Sequence, residues 1–75
     1  MTRVHNLHAL HLEYRRIKAT EVEKDSLDDE LLGALPWAIQ TIWHEWCGGA
    51  DDDETRELIR LGVLRDGEDG IEVCL

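Results

Sequence analysis

The chain is poor in the residues that mark most kinds of protein machinery. It has two cysteines, Cys47 and Cys74, so no dense disulfide scaffold can be built. It has no CxxC and no HExxH pattern, which leaves the common zinc signatures unrepresented. Gly48-Gly49 is not followed by Lys-Ser or Lys-Thr, so the phosphate-cradling loop of nucleotide enzymes is missing. No apolar run approaches the ~20 residues needed to span a bilayer. The N-terminus shows no apolar segment of the secretory type, which points to a cytoplasmic location. Bases are scarce: 8 Lys and Arg stand against 17 Asp and Glu, a formal charge of −9. Direct binding to nucleic acid is therefore not expected, because phosphate neutralisation needs several cations on one face.

What is present suits one small domain spanning residues 1–75. The 43% apolar share is near the globular norm, so wholesale disorder is excluded. A chain of 75 residues has a marginal core. The charge is uneven. Residues 1–25 carry five bases and four acids; residues 26–75 carry three bases and thirteen acids.

Residues Val4 to Lys24 predict a first helix. Leu7, Leu10, Tyr14 and Ile17 recur at spacings of 3, 4 and 3 and share one stripe. A second stripe, His8, Leu12, Arg15, Ala19 and Val22, runs on nearly the opposite side and predicts a further contact, such as a homodimer through this stripe or through Trp37. Ser26 and Asp29 have capping-box spacing, with Asp28, Asp29 and Glu30 suited to the positive end of a helix. Gly33 and Pro36 predict an interruption, Pro36 opening a new helix. Leu35, Ile39, Ile42, Trp43 and Trp46 then form the heaviest apolar face. Cys47-Gly48-Gly49 should end that helix.

Asp51, Asp52, Asp53 and Glu54 predict the cap and first turn of another helix, with Leu58, Ile59 and Leu61 apolar, closed by Gly62. A β-hairpin should follow, with a turn over Asp66–Gly70 and a strand in which Ile71, Val73 and Leu75 alternate with Glu72 and Cys74. The expected fold is mostly α (α+β): three to four short helices and a C-terminal β-hairpin, the element order of a winged helix. Leu10, Tyr14, Leu35, Ile39, Ile42, Trp43, Leu58, Leu61 and Ile71 should form one core.

The chemistry of sites is sparse. His5, His8 and His11 at i, i+3, i+6, and His44 with Cys47 and Cys74, are the only combinations with metal-ligand spacing. A structural zinc wants four ligands, so no metal or cofactor is assigned, and a metal-stabilised domain stays an alternative. No nucleophile has both a base and an orienting group, so the chain is not expected to be an enzyme. Trp37 lies on the side of its helix away from the apolar face. It is either packed against the first helix or the hairpin, or an interface anchor.

Four successive carboxylates exceed what a helix cap needs. The expected function is a non-enzymatic acidic module that binds a protein with a basic, nucleic-acid-binding surface, as a nucleic-acid mimic or small inhibitor. Phage-encoded anti-defence and host-takeover proteins are one class in which such inhibitors occur. The partner-binding residues expected are Asp51, Asp52, Asp53, Glu54, Glu57 and Trp37. The alternative is a winged-helix transcriptional regulator, which the acidic start of its recognition helix opposes.

Overall fold

A computed structural model describes residues 2–46 and 49–75. Five elements follow in order: α1 (Arg3–Lys18), α2 (Leu27–Trp46), α3 (Asp52–Arg60), β1 (Leu64–Gly67) and β2 (Gly70–Val73). This is a mostly helical fold with a C-terminal antiparallel hairpin, in winged-helix-like element order.

Each helix begins where a short polar side chain can satisfy an orphan N–H. Thr2 accepts from His5 N at the head of α1. Ser26 Oγ accepts from Asp29 N at 3.2 Å before α2. The return bond of the expected capping box goes one residue further back, Asp29 Oδ2 accepting from Asp25 N at 3.0 Å. Asp25 itself adopts φ +65°, a conformation Asp tolerates better than most residues. Asp51 and Glu54 complete a full capping box at α3.

Two helix boundaries differ from expectation. The first helix stops at Lys18 rather than Lys24. Thr20 donates both its N–H and its hydroxyl to the Ile17 carbonyl, satisfying the helix end locally. The stripe of Leu7, Leu10, Tyr14 and Ile17 also turns polar beyond Ile17, at Glu21. In contrast, Pro36 does not open a new helix: α2 runs unbroken through it for 20 residues. Pro36 removes one N–H and crowds the Leu32 carbonyl, at about 3 kcal/mol. Burial of Leu35, Ile39, Trp43 and Trp46 along the same helix outweighs that cost, each large side chain contributing about 1.5–3 kcal/mol. Cys47 and Gly48, expected to end this helix, lie outside the described residues.

The core joins Leu7 of α1, Ile39, Trp43 and Trp46 of α2, Leu58 of α3, then Val63 and Leu64. The two indoles meet edge to face, centroids 5.8 Å apart, a favoured aromatic arrangement. Leu10, Tyr14, Ile42 and Leu61 pack at its periphery rather than its centre. Ile71 was expected inside and is not; it lies exposed on β2.

The turn from α3 into the hairpin is a Schellman motif. Val63 N donates to Leu58 O and Gly62 N to Ile59 O, with Gly62 at φ +81°. Its apolar contact unites Leu58 and Val63, both fully buried. The hairpin pairs Leu64 with Val73 and Gly67 with Gly70, so its turn is the two residues Glu68-Asp69 rather than five. Gly70, the first residue of β2 after that turn, has φ +121°, which glycine adopts without a Cβ clash. Cys74 N then donates to Val63 O, tying the chain beyond β2 to the core.

Candidate functional site

Trp37 is 71% exposed, so it packs on neither α1 nor the hairpin. On α2 it leads a solvent-facing stripe with Gln40 and His44 at i+3 and i+7. That stripe runs into shallow grooves between α2 and the hairpin. One is lined by Gln40, Trp43, His44, Ile71, Glu72 and Val73. The next is lined by Trp43, His44, Ala50, Asp52, Thr55 and Ile71. Ile71 also borders the hairpin-turn concavity of Glu68, Asp69 and Glu72. One surface therefore links an aromatic, an exposed Ile71, and carboxylates from α3 and the hairpin.

The six expected residues do not all share it. Asp52 faces this groove with Thr55. Asp51 and Glu54 are engaged in the capping box, Asp51 Oδ1 accepting from Glu54 N at 2.8 Å. At about 100° per residue, Asp53 and Glu57 turn away from the Asp52–Thr55 side of α3. Glu57 pairs with Arg60 through a two-point contact. That contact, first through its hydrogen bond and then through charge, holds the Glu57 carboxyl below its usual range, and His8 of α1 adds a smaller pull. Arg56 and Arg60 intersperse with Asp53 and Glu57, so the outer side of α3 is mixed in charge. The acidic character concentrates at its N-terminus and on the hairpin turn.

The second stripe of α1 is also not one outward face. Leu12 is exposed, but Arg15 is tied into the fold. Its Nε donates to His11 Nδ1 at 2.7 Å, and one Nη donates to Leu61 O, also at 2.7 Å. His11 Nε2 lies 2.6 Å from Cys74 O. A guanidinium only donates, so Nδ1 must accept and Nε2 must carry the proton given to Cys74 O. His11 is thus neutral in this arrangement, with one tautomer set by its partners. It is only 3% exposed. Burial chiefly lowers its pKa; the Cys74 carbonyl opposes, while the charge of Arg15 and that of His8 add to the lowering.

This polar knot escaped the sequence reading, which grouped His11 with His5 and His8 as metal-ligand spacing. A signal was present: His11 stands at i+4 from Leu7 and i+3 before Tyr14, on the buried stripe itself. Both its ring nitrogens are occupied, so it has no lone pair for a metal in this arrangement. Among the described residues no three or more His, Cys, Asp or Glu side chains converge as metal ligands. Cys47 of the His44–Cys47–Cys74 combination lies outside the described residues.

Among those residues no helix is long and apolar enough to cross a membrane. No protein-family model, curated protein or solved structure matches the chain.

Proposed function

We propose that this chain is a non-enzymatic binding module, an inhibitor-type acidic protein that docks on the basic, nucleic-acid-binding surface of a protein partner. The observation that carries this reading is the exposed Trp37 on the stripe that leads into the acid-flanked groove at Ile71. Trp is the residue most able to anchor an interface from a single position. Asp52, Glu72 and the turn acids Glu68 and Asp69 supply the charge around that groove, and the −9 total favours encounter with a cationic partner. Anti-defence or host takeover by a phage is one setting for such an inhibitor. A cytoplasmic location belongs to the same proposal, as does self-association through Trp37 when no partner occupies it.

The test separates anchor from steering. Partners captured from the native host are identified by mass spectrometry, and association and dissociation are then measured at low and high salt. Trp37→Ala should speed dissociation and weaken binding at least about 30-fold, the cost of losing a hot-spot residue near 2 kcal/mol. Asp52→Asn with Asp69→Asn should slow association and flatten its salt dependence while leaving dissociation nearly unchanged. Unchanged rates in both variants would place the interface elsewhere on the molecule.

A further inference from the structure

A second groove, of about 420 Å³, lies between the C-terminal half of α1 and the end of the chain. Tyr14, Arg15, Lys18, Arg65, Val73 and Leu75 line it, with the His11 knot behind. In a chain with 17 acids and 8 bases, no Asp or Glu side chain among the described residues lines this groove, and three cations do.

These cations differ from the others in how they are held. Arg16 and Arg60 are satisfied by Glu13 and Glu57 one turn away on their own helices. Arg15 is instead fixed by His11 Nδ1 and Leu61 O, which use two of its five N–H groups. The other three have no acceptor among the described residues. Gly62 permits this placement: a Cβ there would stand 3.0 Å from Arg15 Nη2. Lys18 forms no ion pair among the described residues, and its ammonium sits 5.5 Å from the Tyr14 ring centre. Arg65 is partly neutralised by Glu72 at 3.2 Å.

The geometry points to a binding site for a small oxyanion carried on an apolar or aromatic body. Arg15 and Lys18 take the carboxylate or phosphate oxygens, and Tyr14, Val73 and Leu75 take the body. A guanidinium already immobilised by protein acceptors loses little freedom on binding, and its open N–H groups match the paired oxygens of either anion. The global negative charge opposes entry only weakly, since salt screens beyond about 8 Å at physiological ionic strength.

Titration of the ¹⁵N-labelled chain with benzoate, phenyl phosphate and inorganic phosphate, at constant ionic strength and pH 7, tests the site. Saturable shifts are expected at the amides of Arg15, Gly62 and Cys74 and at Arg15 Nε. Phenyl phosphate should bind more tightly than inorganic phosphate, and whichever of benzoate and phenyl phosphate binds better tells carboxylate from phosphate. Lys18→Gln, at an exposed position, should weaken binding about tenfold, the value of one charge-assisted contact. Lys24→Gln removes the same charge away from the groove and should leave affinity unchanged. Shifts that never saturate, equal binding of phenyl and inorganic phosphate, or equal losses in Lys18→Gln and Lys24→Gln would each overturn the assignment.

Discussion

Two grooves draw on the same hairpin and are built in opposite ways. The acid-flanked groove takes its charge from residues that stand in runs, Asp52 of the Asp51–Glu54 run and the Glu68-Asp69 turn, and its aromatic from the outer side of one helix. The cation-lined groove gathers Arg15 and Lys18 from α1, Arg65 from β1 and Leu75 from the chain end. Arg15 and Lys18 stand one turn apart on α1, and Arg65 and Leu75 join them only because the chain returns to α1 after the hairpin, with Cys74 O against His11 Nε2. The difference teaches that excess charge is visible along a chain, whereas convergence of charge is a property of packing. It also separates their energetics. The acids are solvated, and the capping box apart they do little for the fold. Arg15 and His11 are part of the fold, because Leu61 O and Cys74 O depend on them.

The most disruptive way to break the comparison is to remove what both grooves stand on. Ile39 of α2 is fully buried in the core that Leu7 of α1, Leu58 of α3 and Leu64 of β1 share. Ile39→Ala should cost about 2–5 kcal/mol, a large fraction of the stability of so small a domain. Urea denaturation followed by tryptophan fluorescence measures it. A loss under about 1 kcal/mol would mean that the core yields far more easily than its packing implies.

A smaller effect should fall on the cationic groove alone. Arg15→Met leaves His11 Nδ1 and Leu61 O without their donor and should cost about 1–3 kcal/mol. The same knot makes stability depend on pH. The folded pKa of His11 lies below its ordinary 6.5, so the unfolded chain binds the proton more readily. His11 thus contributes stability that is complete above pH 6.5 and is lost as pH falls from there through the folded value. The slope cannot exceed about 1.4 kcal/mol per pH unit for one proton. Urea titrations between pH 7.5 and about 5.5, above the carboxylate range, should show this slope in the native chain. It should be absent from His11→Leu, even though that variant is less stable throughout. Parallel pH profiles would assign the dependence to another group.

The acidic side should respond least. Asp52 and Asp53 make no ion pair among the described residues, and the capping box uses Asp51 and Glu54 instead. Asp52→Asn with Asp53→Asn should change stability by no more than the ~0.3–1 kcal/mol per charge that a helix dipole returns at exposed sites. A thermal melt within a few degrees of the native chain would agree. A change comparable to that of Arg15→Met would erase the distinction between the two grooves.

Local signals in the sequence were sufficient for the starting points of α2 and α3, because Ser and Asp caps act over three or four residues. They were also sufficient for Gly62 as a stop, since a left-handed residue between apolar Leu58 and Val63 closes a helix by itself. The stripe of Leu7, Leu10, Tyr14 and Ile17 and the face of Ile39, Trp43 and Trp46 likewise followed from periodicity. Pro36 misled for a physical reason. Its penalty is local and fixed, whereas the burial that outweighs it comes from partners distant in sequence. Ile71 misled because alternation gives the two sides of a strand but not which stretch of it the helices cover. Here the core reaches Leu64 and Val73 and stops short of the turn. The Arg15–His11 knot lay furthest from reach: its acceptors, Leu61 O and Cys74 O, are backbone carbonyls 46 and 63 residues away, and every residue has one. The sequence by itself determined the capped starts of α2 and α3, a hairpin and an acidic surface, because those depend on neighbours within a few residues. Only the tertiary structure decided that α2 stays whole, that Trp37 faces solvent and that Arg15 turns inward, because each is settled by what another element covers.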